Sequence, residues 1–343
     1  MPERVTLRDV AREAGVHTST ASRALNPGTR MVVNPETVKR VMSAAERLGY
    51  RPHPLARGLR TNRTMTVGIV IPDIENPLFA PIIGGAEETL GGSGYPLLIG
   101  NTDNDEQNAR AVVTTLVERR VDGLILAIAA RHDGLIDDLV TAGVAVVLVN
   151  RYTEHAPVPS VVGDDHAGMG LAVGHLVSLG HTAIGHVAGP RSLSTGNDRA
   201  EGFIAAMSAA GLPAGRDVIE EAEWFQLEPG HVAAAALLER RRDLTAIVAG
   251  NDLLALGCYQ AVTELGMRVG KDMSVTGYND MPFVDLMQPP MTAVRVPYRA
   301  MGVEAARRLL TLMAPDGERR PESIRLAPSL SGRASTAPPR RNR

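Results

Sequence analysis

Thr6-Leu7-Arg8-Asp9-Val10-Ala11-Arg12-Glu13-Ala14-Gly15-Val16 opens the stretch that decides how this chain folds. Thr6 places a hydroxyl three residues ahead of the Asp9 carboxylate, a variant capping box that satisfies amides left without partners in a first helical turn. Leu7, Val10, Ala11 and Ala14 recur on one helical face, and Gly15 supplies the left-handed residue that stops the helix. Val16 is then expected as a buried turn residue. A second short helix is predicted from about Thr18 to Leu25, with Ala21, Ala24 and Leu25 inward. Asn34-Pro35-Glu36 reads as N-cap, first-turn proline and acidic first turn of a third helix. Its apolar stripe is expected at Val38, Val41, Met42, Ala45 and Leu48, with Gly49 as terminator. Two short helices joined by a tight glycine-containing turn and buttressed by a third make a helix-turn-helix domain over residues 1–50. In that motif the second helix enters the major groove of DNA, its N-terminal residues toward the base edges.

Charge distribution points the same way. Residues 1–63 hold 12 Lys and Arg against 5 Asp and Glu, whereas the other 280 hold 24 against 33. A basic head on an acidic body is the asymmetry expected when one end neutralises phosphates, although charge alone fits a solvated basic face equally well.

The run Val5 to Val16, followed by Ser19-Thr20-Ala21-Ser22-Arg23-Ala24-Leu25-Asn26, closely resembles the head of the lactose/galactose repressor (LacI/GalR-type) family. The resemblance implies that Thr18, Ser19 and Arg23 occupy base-reading positions. Arginine can grip guanine O6 and N7, and short hydroxyl side chains are permissive readers. It also places Thr6, His17, Thr20, Ser22, Asn26, Asn34 and Tyr50 at phosphates, where contacts fix register without reading sequence. The segment from Asn26 to Asn34 is about two residues longer than in the lactose repressor, which weakens the transfer of loop contacts.

Residues 51–63, with four arginines and two prolines, form the expected hinge segment. In the family this segment becomes helical only on DNA and wedges a leucine into a minor-groove step. Leu59, with Ala56 three residues before it, matches that wedge. Gly58 costs a helix about 1 kcal/mol relative to alanine, so a helix here should not hold by itself. His53-Pro54 replaces the family's usual asparagine, and a linker with an incidental leucine is the rival reading.

From residue 66 short apolar runs (67–71, 96–99, 123–129, 145–149) alternate with amphipathic stretches near 79–91, 106–119 and 134–142. That is βαβ alternation around a parallel sheet. After about residue 160 it restarts, with helices at 166–179, 198–210, 230–241 and 253–265 and strands at 183–188, 245–249 and 273–277. The fold class is therefore α/β, an all-α head and two doubly wound parallel-sheet lobes spanning 64–336, and the lobes resemble the periplasmic-binding-protein type. Lobe one is expected at about 64–161 and 294–323, lobe two at about 162–293 and 324–336, and 337–343 as a disordered tail. Leu179-Gly180-His181, Gly189-Pro190, Asn251-Asp252 and Gly277-Tyr278-Asn279-Asp280 extend the family resemblance over nearly the whole chain.

Open α/β sheets bind ligands beyond the carboxyl ends of their strands. The residues there are Ile74, Asn76, Phe79, Asp103, Asn150, Arg151, Thr195, Arg199, Trp224, Phe225, Asn251, Asn279 and Asp280, with Trp224 and Phe225 expected to end a strand. Amides, hydroxyls and a guanidinium around an aromatic plane suit a polyhydroxylated ring. The bland alternatives are a core tryptophan and turn-forming asparagines. Positions 150 and 279 commonly carry aspartate in the family and are asparagine here. With Arg199 and Arg151 retained, that loss of negative charge suggests an acidic sugar as effector.

Other classes find less support. The single Cys258 leaves no internal disulfide, no Cys/His cluster has zinc spacing, and His181 and His186 are not spaced as a metal pair. There is no G-x-S-x-G and no phosphate loop, and Gly168, Gly170 and Gly174 miss the dinucleotide spacing. No catalytic residue, metal or cofactor is expected. No apolar run reaches the roughly 18 residues that span a bilayer, and no signal-peptide core opens the chain, so a cytoplasmic location is expected. The reading is a homodimeric transcription regulator, a repressor before an activator, on a palindromic double-stranded DNA operator, with a sugar or sugar acid as effector. A sensor of a purine or another metabolite and a transporter's solute-binding protein are the alternatives. No leucine-heptad tail follows residue 336, which leaves dimer and tetramer open.

Overall fold

The computed structural model describes residues 5–26, 29–50, 63–314 and 322–340. Two compact units divide at residue 65: the head and the body.

In the head, α1 (Leu7–Glu13), α2 (Thr18–Leu25) and α3 (Pro35–Arg47) form one cluster around Val10, Ala11, Ala14, Ala21, Ala24, Val41, Ala44 and Ala45. The predicted capping box is present. Thr6 N donates to Asp9 Oδ2 at 2.9 Å, and Asp9 N donates to Thr6 Oγ1 at 3.4 Å. Gly15 turns the chain at φ +62°, and Asn34 Oδ1 accepts the Glu36 amide at 2.9 Å ahead of Pro35. Six alanines in the core let three short helices approach closely, which leaves little room for long side chains. Met42 departs from the expected stripe and is exposed; the buried face of α3 runs Val41, Ala44, Ala45, and position 42 lies about 100° around from 41. Val16 and Leu25 are half-buried at the edge of this cluster.

The body contains two sheets. The first is ordered β11-β5-β4-β3-β1-β2, from β1 (Val67–Ile71), β2 (Leu97–Asn101), β3 (Gly123–Leu126), β4 (Val146–Val149), β5 (Ser160–Gly163) and β11 (Ser323–Leu326), with every pairing parallel. The second is ordered β12-β10-β9-β8-β6-β7, from β6 (Ile184–Ala188), β7 (Ile219–Glu221), β8 (Ala246–Ala249), β9 (Ser274–Asn279), β10 (Thr292–Arg295) and β12 (Ser329–Ser331); only β12 runs antiparallel. β1 and β6 are buried along their whole lengths, as expected of strands covered on both faces. Lobe one carries α4 (Phe79–Gly92), α5 (Glu106–Glu118), α6 (Gly134–Thr141) and α11 (Tyr298–Met313). Lobe two carries α7 (Asp165–Ser178), α8 (Ser194–Ala209), α9 (Leu227–Arg240) and α10 (Asp252–Glu264). The backbones of α4 and α11 touch through Gly85 and Gly302, where a Cβ would run into Arg299 O and Ile82 O respectively.

The chain crosses between lobes three times, each a few residues later than expected. β5 keeps residues to Gly163 in lobe one, β10 keeps residues to Arg295 in lobe two, and β11 keeps residues to Leu326 in lobe one. Strand pairing, not the apolar pattern, sets these limits. The tail also differs from expectation over 337–340. Ala337 O accepts from His181 Nε2 at 2.8 Å, Ala337 N donates to Ser274 Oγ at 3.1 Å, and Arg340 pairs with Asp272. Residues 341–343 lie outside the described residues.

Candidate DNA-reading face and effector cleft

In the head, Ala21 and Ala24 turn inward, while Ser19 and Arg23, four apart, are exposed on the opposite face of α2. Thr18, Thr20 and Ser22 are half-buried around them; Thr6, His17 and Asn34 are exposed, and Asn26 and Tyr50 half-buried. The sequence did not mark His17 as a cap. Its Nδ1 accepts the Ser19 amide at 3.3 Å and lies 2.8 Å from Ser19 Oγ, so it both starts α2 and orients the exposed Ser19 hydroxyl. The lengthened loop is tied back to α2, with Thr29 Oγ1 donating to Arg23 O and Arg30 Nε to Ala24 O. Ala56, Leu59 and the hinge over 51–62 lie outside the described residues.

In the body, β1 and β6 are the strands whose neighbours depart in opposite directions, so a crevice opens beyond their carboxyl ends. There Asn76, Phe79, Arg151, Trp224 and Phe225 come together, with Pro72, Asp73, Asn104 and Gln226, around a cavity of about 20 Å³. That is room for about one water. Pro72, Asn104, Arg151 and Trp224 also wall an adjoining chamber of about 240 Å³, which reaches Asp105, His132, Asp133 and Leu193. Sequence reading missed this chamber and Asn104. Its available signal was the pair of aspartates opening helices after β2 and β3: Asp105 accepts from Asn108 N, and Asp133 from Leu135 N.

The remaining candidates lie elsewhere. Ile74 is exposed, as is Asp103, whose Oδ1 accepts from Asn101 Nδ2. Thr195 is buried in the first turn of α8. Asn251 caps α10, its Oδ1 accepting the Leu254 amide at 2.8 Å. Asn150 sits at φ +65°, a left-handed turn that asparagine tolerates, and so aims the next residue, Arg151, into the crevice. Asn279 accepts from Tyr298 Oη at 2.6 Å, and the Asp280 carboxylate pairs with Arg295 and Arg333. Both face a larger open groove of about 900 Å³ beside α11, lined chiefly by proline and aliphatic side chains, not the crevice. Trp224 and Phe225 do not end a strand: β7 stops at Glu221 and both rings sit on the loop before α9. Phe225 packs directly against Gly189, where a Cβ would overlap the ring.

Two arginines approach the crevice with opposite electrostatics. Arg199 is buried one layer back, its Nε donating to Asp165 Oδ1 at 3.0 Å and its Nη1 to Gly250 O at 2.7 Å, with its guanidinium 4.0 Å over the Tyr278 ring. Burial pulls its pKa down, and Asp165, Tyr298 and Tyr278 more than reverse that. Arg151 is equally buried, but burial and then repulsion from Arg199 lower its pKa to about 10. Across the crevice the lobes are joined by hydrogen bonds: Arg131 N to Ser192 O (3.1 Å), Tyr152 N to Ser194 Oγ (3.0 Å) and Tyr152 Oη to Asp198 Oδ1 (3.0 Å).

A possible metal group consists of exposed His132, Glu154 and His155, whose ligand atoms lie within 4.8 Å of one another. The two imidazoles stack with planes 12° apart, so their in-plane lone pairs run parallel and do not converge on an ion.

Comparison with known proteins places these features. The model for bacterial regulatory proteins of the lacI family matches residues 6–53, and a periplasmic-binding-protein-like domain matches 173–336. The transcriptional regulator DegA of Bacillus subtilis (strain 168) is 33% identical over 339 residues, covering 98% of this chain and 99% of its own. The chain belongs to the LacI family. A lac repressor dimer bound to operator and an anti-inducer aligns over 98% of this chain and 100% of its own, at TM-score 0.84 and 27% identity. The regulator CelR in complex with cellobiose aligns over 97% and 100%, at TM-score 0.75 and 30% identity. The chain is thus a DNA-binding transcriptional regulator with a helix-turn-helix head and an effector-controlled body, and its relatives are regulators, not enzymes. No helix among the described residues is long and apolar enough to cross a membrane.

Proposed function

We propose that this LacI-family regulator works as a homodimer in the cytoplasm, each α2 reading one half of a palindromic operator through Ser19 and Arg23. The body binds a sugar or sugar derivative in the crevice between its lobes, and closure around that ligand sets operator affinity. The observation that carries the effector reading is the convergence of Phe79, Trp224 and Phe225 with Asn76 and Arg151 at one crevice. Aromatic faces pack on the C–H face of a sugar while amide and guanidinium groups bind its hydroxyls. A solved relative, CelR, holds cellobiose. Hydrogen bonds from Arg131 and Tyr152 to the 191–198 segment supply the two-state element, since a ligand that changes the lobe angle must make or break them. Coupling between ligand and operator of about 1–3 kcal/mol is typical of such devices.

The test is selection of operator sequences by the purified full chain, followed by operator titration with sugars, sugar acids and nucleobases present. A palindromic consensus and a several-fold shift in operator affinity by a carbohydrate are expected. Response to a nucleobase alone would replace the sugar reading, and absence of any preferred sequence at low salt would remove the DNA-reading assignment.

A further inference from the structure

Arg151 is a buried cation without a counter-ion. Its guanidinium makes no ion pair or hydrogen bond among the described residues, and its Nε is buried without a partner. The other arginine near the crevice is already neutralised by Asp165, so it adds repulsion and offers no relief. A charge held this way is costly, and proteins retain one where something arrives to pair with it. Arg151 walls both the small cavity and the 240 Å³ chamber, so whatever pairs with it stands at their junction.

We propose that the ligand of this crevice is a sugar acid whose carboxylate pairs with Arg151. The inference rests on the carbohydrate reading above and narrows it. A planar guanidinium matches a carboxylate through two parallel hydrogen bonds, and one arginine balances one negative charge. The carboxylates nearby are committed elsewhere. Asp73 accepts the Glu75 amide, Asp105 caps α5, and Asp133 caps α6 and also accepts the Ala130 amide. None of them is within ion-pair distance of Arg151, and because they keep their own charge they repel a dianion more than a monoanion, which favours a carboxylate over a phosphate ester. The chamber's size, somewhat below the usual range for ligand pockets, suits a monosaccharide acid more than a longer chain.

The experiment is calorimetry and thermal shift on the full chain with D-galacturonate, D-glucuronate and D-gluconate, beside galactose, glucose and glucose 6-phosphate. A sugar acid should bind more tightly than its neutral parent and than the phosphate ester. Arg151→Gln should weaken the acid on the order of 30-fold or more while hardly changing weak binding of the neutral sugar. Without ligand, Arg151→Met should melt no lower than the parent, because it removes an unpaired charge and keeps the volume. A neutral sugar that binds while its acid does not would overturn the inference and leave the carbohydrate reading intact. Silence from every carbohydrate, acid or neutral, would sink both. A substantially lower melting temperature for Arg151→Met would show that Arg151 is structural, and would also overturn it.

Discussion

Arg199→Met separates two roles that the same residue could fill. As a ligand-binding group, Arg199 could be removed with loss of effector response and little change in stability. The structure gives the opposite expectation. Arg199 and Asp165 are both buried, and the pair is 3.0 Å apart. Removing the guanidinium leaves the Asp165 carboxylate without its partner in a dry site, and Gly250 O loses a donor at 2.7 Å. Breaking a buried pair from one side costs about 3–5 kcal/mol. For a body of this length that corresponds to a melting temperature lower by roughly 5–10 °C. The assay is scanning calorimetry on the full chain without ligand, on Arg199→Met, Asp165→Asn and the double variant. The double variant removes both charges and should lose about 2–3 kcal/mol less than the sum of the two singles. An unchanged melting temperature for Arg199→Met would refute the argument and return Arg199 to the ligand. So would a double variant as unstable as the sum of the two singles.

Three further outcomes follow from the geometry. Arg23→Ala, at an exposed position on α2, should cost operator binding about 1–3 kcal/mol and relax preference at one base pair, with stability unchanged; a binding titration across operator variants reads this out. Gly189→Ala should push the Phe225 ring out of the cavity wall and weaken carbohydrate binding about tenfold or more by calorimetry, while operator binding without ligand persists. Asp252 is raised from 3.8 to about 7, first by burial and, after the opposing Met281 amide bond, by the Asp280 charge, with Arg199 pulling the other way. The native state therefore favours the protonated acid, and the associated stability is present below about pH 4 and lost as pH rises through 7. Asp252→Asn should remove that slope, gaining on the parent from pH 4 to 7 by at most about 4 kcal/mol in denaturant unfolding.

Most of the fold was legible because its signals are local. The capping box at Thr6 and Asp9, the glycine at 15 and the Asn34-Pro35 start are backbone devices with fixed residue preferences, and the structure uses each of them. β1 reads as a strand since all five of its residues are buried and apolar or glycine. β7 was expected but ends at Glu221, short of Trp224 and Phe225, whereas β5, β10 and β11 were not anticipated, because four residues near a sheet's margin carry no periodicity of their own; Ser323-Ile324-Arg325-Leu326 becomes a strand only by lying beside Ser160 to Gly163. The same dependence on pairing moved the three lobe crossings. In the tail, Ala337 is ordered by His181 and Ser274, neither of which is near it in sequence.

The site was less legible, and one cause accounts for much of it. Asp103, Asn150, Asn279 and Asp280 all stand at or just past strand ends and all have positive φ. Asparagine and aspartate enter the left-handed region more readily than other non-glycine residues, so the strand ends of an α/β sheet recruit them whether or not a ligand is near. Their residue type therefore reports the turn. What it does not report is where the turn sends the next side chain. At Asn150 the left-handed step delivers Arg151 into the crevice without a partner, whereas Asn279 leads to Asp280, whose carboxylate is already taken by Arg295 and Arg333. Two similar-looking motifs thus part ways on charge compensation, a property of three-dimensional neighbours. In this cleft an unpaired buried charge is a sharper pointer to ligand chemistry than residue type at a strand end, because a turn can be built without a ligand and an unpaired charge is hard to justify without one.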